Sequence, residues 1–352
     1  MSQSARPPSH ERTHITHRHY SIDLPMLHKG VLHSLAANAA WGFAPIYWKQ
    51  LATVPTIEVL GHRLVWSFLL LVALLLAQSE WTAFRGAAFT RRTLAIYTLS
   101  GLLMGVNLFL SVWAVVSGYI VEMSLGYFIS PLINVLLGVV VLRETLRRWQ
   151  ILSIALACAG VLVVAIAYGK FPWLALTLST TFGLYGLVKK KAPLPSLHGI
   201  TLELGIFFIP ALIYLVVIQA NGTAHFLHAD WSIDLYLVAS CVVTIAPLIF
   251  YSSAAKLISL TLLGVIQYTA PSLQFLVGVF GYHEHFSIFK LVGFICVWTG
   301  LIVFTVESMY QNNRIKLPDD TRLAIETPRD DVELGEISTT NYDDARDANN
   351  KP

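Results

Sequence analysis

The stretch 124-SLGYFISPLINVLLG-138 is apolar enough to lie in a lipid bilayer, yet it carries Pro131 and Asn134 near its middle. A proline removes a backbone donor and its ring clashes with the preceding turn, which costs about 3 kcal/mol in an ordinary helix interior. The same feature returns in 264-GVIQYTAPSLQFLVG-278, where Pro271 stands 140 positions after Pro131. Its reappearance at one fixed spacing indicates a structural device rather than an accident of packing.

The composition indicates a membrane protein. Hydrophobic residues make up 55% of the 352 residues and charged residues 13%, whereas about a quarter of a soluble domain is charged. Lys and Arg lie between long apolar runs rather than on one basic face, which argues against binding of nucleic acid. There is no phosphate-binding loop, nucleophile elbow or ligand-like cysteine spacing. We therefore expect neither an enzyme nor a cofactor, and no metal site.

Ten segments reach the length of about 20 mostly apolar helical residues that a bilayer core requires. They lie at 31–51, 57–77, 94–115, 120–142, 149–168, 172–189, 199–219, 232–255, 260–281 and 288–309. The sequence thus predicts an all-α polytopic membrane protein with ten transmembrane helices. Lys and Arg concentrate in the amino-terminal tail and in alternate loops, so the positive-inside rule predicts that both termini are cytoplasmic.

The shift of 140 positions extends far beyond the two prolines. It pairs, without a gap, Leu136 with Leu276, Gly138 with Gly278, Glu144 with Glu284, Gly160 with Gly300, and Lys49 with Lys189. Each copy would hold five helices, and an odd number makes the second copy enter the membrane from the opposite side. The sequence therefore predicts an inverted-topology repeat, although coincidence is the alternative because Gly and Leu are common in spans.

The repeat and the polar ends divide the chain into four parts. These are a polar cytoplasmic tail at 1–29, a first repeat at 30–168, a second repeat at 169–310 and an acidic cytoplasmic tail at 311–352. The last part is expected to be disordered because it has few large apolar residues to bury. Irregularly spaced histidines in the first tail are interpreted as solvated chain rather than as metal ligands.

Four runs of this sequence resemble the RarD proteins of the EamA group in the drug/metabolite transporter (DMT) superfamily. They are 38-NAAWGFAPIYWK-49, 122-EMSLGYFISPLINVLLGVVVLRE-144, 184-LYGLVKKK-191 and 266-IQYTAPSLQFLVGVFGYHE-284. The resemblance covers roughly residues 29–310 and says nothing about the tails. It implies ten helices in two EamA repeats, a bacterial inner (plasma) membrane location and transport of a small organic molecule. RarD proteins are named for a link to chloramphenicol sensitivity, which the resemblance extends to this chain as an expectation.

Polar and aromatic side chains near the middle of the spans are the candidate substrate-binding residues. They are Asn38, Trp41, Asn107, Tyr127, Asn134, Gln267, Tyr268 and Gln274. Amide and aromatic groups suit an amphipathic, largely uncharged ligand. The alternative is hydrogen bonding between helices. Likewise, Pro131 and Pro271 are predicted to kink their helices, either to line a cavity or only to shape the packing.

Charged side chains in or beside the spans form two candidate gates. The outer one comprises Lys49, Glu58, Arg63 and Glu122, and the inner one comprises Lys189, Glu203 and Lys256. A charge inside a span needs a partner. We expect Arg63 to pair with Glu58 or Glu122, and Glu203 to pair with Lys189 or Lys256. The alternative is that these charges only fix the depth of the helices. Glu144 and Glu284 are predicted to cap the helix that follows each of them.

Together these features favour a secondary transporter in the lipid bilayer that moves a small organic substrate by alternating access around a midplane cavity. Coupling to protons or to another ion is left open, because Glu122, Glu203 and His62 carry titratable groups. The rival class is a non-transporting membrane sensor or scaffold whose charged tail is a docking segment.

Overall fold

The computed structural model describes residues 24–117, 119–281 and 288–315, and the regular structure within these ranges is helical. Its helices are α1 (Leu24–Lys49), α2 (Thr56–Ala77), α3 (Trp81–Ala88), α4 (Arg91–Val116), α5 (Ile120–Val140), α6 (Arg148–Tyr168), α7 (Trp173–Lys191), α8 (Ser196–Ala220), α9 (Trp231–Leu257), α10 (Leu260–Gln267), α11 (Thr269–Leu276) and α12 (Ile288–Ile315). A π-helical turn, Val277–Gly281, follows α11.

The ends of the chain differ from the predicted boundaries. Helix α1 begins at Leu24, inside the predicted polar tail at 1–29, and α12 continues to Ile315. The remainder of both predicted tails, including the histidines of the first and the acidic residues of the second, lies outside the described residues. The short helix α3 was not predicted, because eight residues are too few to form a span.

All ten predicted spans coincide with helices, but fewer are apolar enough to be recognised as spans by composition. In the described part of the chain, seven segments are apolar enough and long enough to cross a membrane. They lie in α2, α4, α5, α6, α8, α9 and the run from α10 to the π-helical turn. The apolar part of α12, Leu291–Glu307, is shorter. Helix α1 carries Lys29 and Asn38, and α7 ends in three lysines, so both are more polar than a lipid-facing helix.

Helix packing follows the repeat. Helices α1 and α9 pack together, and so do α7 and α4, which are their equivalents under the 140-residue shift. Helix α5 packs on α7 as α1 packs on α10 and α11. The pairs α2 with α8 and α5 with α10 are their own equivalents, and both are packed. Such an exchange of partners is what two repeats related by a pseudo-two-fold axis produce.

The two proline-containing helices cross closely. A Cβ atom at Gly264 would lie 2.7 Å from the carbonyl oxygen of Pro131 and 3.0 Å from Cβ of Asn134. Helix α5 continues through Pro131, whereas the second copy is interrupted after Gln267. Pro271 lacks the N–H that would bond to the Gln267 carbonyl, so α10 ends at the residue whose acceptor is lost. Only the second repeat therefore interrupts its helix at the proline.

Candidate functional site

Two of the predicted amide side chains lie on helices of the first repeat and donate hydrogen bonds within the protein. Asn38 is fully buried, and its Nδ2 donates to the Ser34 carbonyl within α1 at 2.7 Å. Asn107 Nδ2 donates across to α7, to the Leu178 carbonyl at 2.8 Å and to Thr181 Oγ1 at 3.0 Å. The protein itself thus binds the Nδ2 group of both amides, whereas the buried Oδ1 of Asn38 has no hydrogen-bond partner among the described residues.

Like Asn107, four more of the predicted site residues join the two repeats to each other. Asn134 Nδ2 donates to Gln267 Oε1 at 2.6 Å across the crossing of α5 and α10. Tyr268 donates its hydroxyl to the Phe128 carbonyl at 3.2 Å. Gln274 Nε2 donates to the Trp41 carbonyl at 3.1 Å. For these side chains the structure has the hydrogen bonds between helices that were the alternative to ligand binding.

Trp41 belongs to an aromatic layer built from α1, α7 and α9. Its ring meets Phe182 edge-on at 5.9 Å between centroids and lies 5.5 Å from Tyr251. Tyr251 in turn stacks on Tyr185 at 6.2 Å, and both tyrosines are almost completely buried. This layer fills the centre of the bundle with side chains from both repeats.

The predicted inner cluster forms around one ion pair. Lys189 Nζ lies 2.6 Å from Glu203 Oε1, and the two side chains are 1% and 6% exposed. Tyr185 donates its hydroxyl to Glu203 Oε2 at 3.4 Å, and the ammonium lies 5.5 Å from the ring centroid of Tyr97. Lys256 does not join a carboxylate here, because its Nζ donates to the carbonyl of Leu194. Of the two predicted partners of Glu203, Lys189 is therefore the one that contacts it.

The carboxylates of the predicted outer gate, Glu58 and Glu122, accept hydrogen bonds from backbone N–H groups and do not pair with Arg63. Glu58 accepts the N–H groups of His225 at 2.7 Å and Phe226 at 3.2 Å, which fastens the loop before α9. Glu122 accepts the N–H of Leu174 at 2.7 Å and so caps the first turn of α7. The expected pairing of Arg63 with Glu58 or Glu122 is therefore wrong. Lys49 lies exposed at the end of α1.

Glu144 caps a different helix from the one predicted. Its two carboxylate oxygens accept the N–H groups of Leu260 at 2.7 Å and Thr261 at 2.8 Å, at the start of α10. The expected cap on the following helix α6 is wrong, since Arg147 and Gln150 form that cap. Glu284 lies outside the described residues.

Arg63 lies seven residues into α2 and reaches toward the middle of α9. Its Nε donates to Thr244 Oγ1 at 3.0 Å, and its guanidinium carbon lies 4.4 Å from the ring centroid of Trp48. Tyr47 and Tyr127 are near enough to interact electrostatically with it. Across residues 24–117, 119–281 and 288–315, no carboxylate lies within 4 Å of this guanidinium.

Tyr127 is exposed on the interior face of its helix. At about 100° per residue, its side chain points within about 40° of those of Pro131 and Asn134, which are buried. Leu136 points in the opposite direction and is 54% exposed toward the surface of the bundle. Tyr127 is nevertheless 43% exposed, and α2 and α5 do not pack along one another in the described residues. Arg63 and Tyr127 are thus both partly exposed and lie close enough to interact electrostatically, on helices that do not pack along one another.

Two spaces in the described residues are lined by neither Arg63 nor Tyr127. A void of about 10 Å³ between α5, α6, α10 and α12 is lined by Leu132, Val135, Tyr268 and Val297, and is too small for an organic molecule. A second space of about 280 Å³ is lined by Phe275, Val279, Ile288 and Leu291 only. Of the predicted substrate-binding residues, Tyr268 alone lines either space.

Sequence reasoning missed several residues around Arg63 and in the aromatic layer. Trp48, Thr244, Tyr185 and Tyr251 were not among the predicted site residues. One signal was present, because Trp41 and Trp48 are seven residues apart and so lie on the same face of α1. The contacts of Arg63 with α1 and α9 depend on tertiary packing and have no counterpart in local spacing.

The sequence profile of the EamA-like transporter family matches this chain twice, at residues 28–166 and 170–306. The chain belongs to the EamA-like transporter family. An uncharacterized transporter of Vibrio cholerae is 38% identical over 282 residues, which are 80% of this chain and 93% of that protein. Protein RarD of Salmonella typhi is 39% identical over 294 residues, 83% of this chain and 100% of that protein. The predicted place among the RarD proteins of the EamA group is thus confirmed.

A solved crystal structure of a protein with 19% sequence identity shares the fold. It superimposes with a TM-score of 0.57 and covers 80% of this chain and 98% of that chain. The two profile matches show two EamA repeats, and the apolar helices show an integral membrane protein. This EamA-like chain is therefore a multi-pass membrane transporter by family.

Proposed function

We propose that this EamA-like chain is a secondary transporter that moves a small organic molecule across the inner (plasma) membrane of a bacterium by alternating access. In this proposal all ten predicted segments span the bilayer, including α1, whose exposed Leu32, Phe43 and Ile46 would face lipid. Residues 30–168 and 169–310 act as two oppositely inserted repeats, and both termini, with the polar tails, are cytoplasmic.

The observation that carries the proposal is a contrast between two polar and aromatic clusters, one of which is accessible while the other is closed. The accessible cluster contains Arg63 and Tyr127, which are both partly exposed. The closed cluster consists of the aromatic layer around Trp41 and the buried ion pair of Lys189 with Glu203. One accessible cluster and one closed cluster are what alternating access requires.

Rocking of the repeats would move the block from one side to the other. The packed pairs α1 with α9 and α4 with α7 each join one helix of either repeat, so a small rotation between the repeats shifts both contacts at once. Each charged cluster lies within one repeat, so its opening or closing would in addition require α7 to part from α8, and α2 to approach α5, as the repeats rotate. The buried charges would then act as gates, as the sequence suggested.

Flux measurements with purified protein in liposomes test this proposal. A panel of neutral, anionic and cationic organic solutes, chloramphenicol among them, is assayed for saturable uptake with and without a proton gradient. Saturable flux that protein-free liposomes lack is expected, and Trp41→Ala should reduce it because the aromatic layer loses its central ring. Leu136→Ala on the outer face of α5 is the matched control and should transport normally. Absence of saturable flux for every solute, with the tails capturing a partner protein instead, would support the scaffold class.

A further inference from the structure

We propose that Arg63 binds the carboxylate of an organic anion that has an apolar body, beside Trp48 and Tyr127. This inference deepens the proposed function and rests on it, since it names the class of solute that the transporter carries. It differs from the expectation of a largely uncharged ligand, because several amide donors on which that expectation depended are bonded to other parts of the protein.

Arg63 has N–H donors that the described residues leave without a hydrogen bond. A guanidinium carries five N–H groups in a planar fork and cannot lose its charge in a protein. Thr244 takes the Nε donor, and Trp48 covers one face of the group. The two terminal nitrogens are left, and that pair matches the two oxygens of a carboxylate. A charge placed within a span is expected to have a counter-ion, and in the described residues Arg63 has a hydroxyl and a ring instead.

The equivalent positions of the second repeat show which charged groups this part of the fold accommodates. Under the 140-residue shift, Lys49 and Arg63 of the first repeat correspond to Lys189 and Glu203 of the second. The second repeat therefore has a cation and a carboxylate in contact at 2.6 Å, whereas the first has a cation at both positions. A carboxylate brought by the solute would supply in the first repeat the charge that Glu203 supplies in the second.

The surroundings of Arg63 indicate the rest of the solute. The Trp48 ring covers the guanidinium, Tyr47 packs edge-on against Trp48 at 5.0 Å between centroids, and Tyr127 lies near enough to the guanidinium to interact with it electrostatically. The Tyr47 hydroxyl is occupied, because it donates to the Tyr236 carbonyl at 2.5 Å. Tyr127 has nearly half of its surface uncovered and thus offers a ring against which an apolar body can pack. An aliphatic or aromatic monocarboxylate fits this combination.

Ligand-induced thermal stabilisation of the detergent-purified full-length protein tests the assignment. The probes are phenylacetate, its neutral amide phenylacetamide, and the cation 2-phenylethylamine, with hexanoate and hexanamide as an aliphatic pair. We expect the carboxylates to raise the Tm in a saturable manner and their amides to do so far less. Arg63→Gln should weaken carboxylate binding roughly tenfold to a hundredfold, as loss of a charged hydrogen bond does. Arg63→Lys should retain part of the affinity, because it keeps the charge and loses only the fork.

The control is Arg92→Gln, which removes the same charge from an exposed position at the start of α4 and should bind as the wild type does. Because Arg63→Gln alters a span, its monodispersity and ligand-free Tm are measured alongside, and Thr244→Val provides a second variant that frees Nε without removing the charge. Equal stabilisation by acid and amide, no stabilisation by either carboxylate, or unchanged binding in Arg63→Gln overturns the assignment.

Transport separates this inference from the function on which it rests. Saturable flux of a neutral solute that Arg63→Gln leaves unchanged would refute the carboxylate site and leave the transporter intact. Carboxylate binding that requires Arg63, without flux of any solute in liposomes, would leave the site intact and refute the transporter. Carboxylate flux that falls in Arg63→Gln and persists in Arg92→Gln supports both.

Discussion

Lys189 and Glu203 form a closed ion pair between α7 and α8, with 2.6 Å between the ammonium and the carboxylate and almost no exposure of either side chain. Their attraction must offset the cost of removing two charges from water, which is why the loss of one partner is more harmful than the loss of both.

Single substitutions in this pair should therefore destabilise the protein strongly. Lys189→Met or Glu203→Leu leaves one buried charge without its partner, and we expect each to lower the free energy of unfolding by about 3–5 kcal/mol. The double variant should recover most of that loss. Denaturation in detergent, followed by helix content, measures the difference. A double variant as unstable as the worse single variant would contradict the interpretation. If the double variant folds well and still transports at the normal rate, the pair is not a gate.

The crossing of α5 and α10 should not tolerate an added methyl group. Gly264→Ala would bring a Cβ atom within 2.7 Å of the Pro131 carbonyl oxygen, so one helix must shift. We expect a loss of about 1–3 kcal/mol, as in other overpacked interiors. Gly86→Ala in α3 is the matched control, because nothing lies within 4 Å of its added Cβ, and it should be neutral or stabilising by about 1 kcal/mol. Equal Tm values for the two variants would show that the helices do not cross this closely.

The interior exposure of Tyr127 predicts a pattern of chemical labelling. Tyr127→Cys, in a protein whose three native cysteines are replaced, should react with a membrane-impermeant thiol reagent because it is exposed on the interior face of α5. Leu136→Cys is more exposed, yet on the opposite face of the helix, where lipid covers it, and should stay unlabelled. The native cysteines to be replaced are Cys158, Cys241 and Cys296. Intact vesicles and mass spectrometry provide the measurement, and labelling of Leu136→Cys alone would be the opposite of this expectation.

Glu122 should act as a cap for the first turn of α7. Glu122→Gln keeps an oxygen that accepts the Leu174 N–H, so we expect a loss of no more than about 1 kcal/mol and unchanged transport. Glu122→Ala removes the acceptor in a buried place and should cost about 1–3 kcal/mol. Unfolding and flux are compared for both variants. Loss of transport in a stable Glu122→Gln protein would instead point to proton coupling at this carboxylate.

The helices of this chain were predictable because apolar runs of span length are bounded by charged loops. The ten predicted segments coincide with helices, and the shift of 140 residues anticipates both the two profile matches and the exchange of packing partners. Helices α1 and α7 were predicted by the same criterion of length and apolar composition, although neither is among the seven segments that are most clearly apolar enough to span a membrane.

The partners of the charged side chains were less predictable, because they depend on the direction of the chain between helices. Glu144 was assigned to the helix that follows it in sequence. In the structure Arg143 has a φ of 56°, in the left-handed region, and the carboxylate next to it reaches α10 instead. Arg63 likewise reaches Thr244, 181 positions away in the chain. Spacing rules cover neighbours within a few turns and cannot specify such contacts.

The carboxylates of the first repeat have a consequence for how the protein is made. Glu122 and Glu144 supply acceptors to the first turns of α7 and α10, which belong to the second repeat. The ribosome completes both glutamates before it begins either helix, so each acceptor is already inserted when the helix that needs it arrives. The second repeat synthesised alone would have to insert with these N–H groups unsatisfied, and the order of the two repeats in the chain is therefore part of what allows it to assemble.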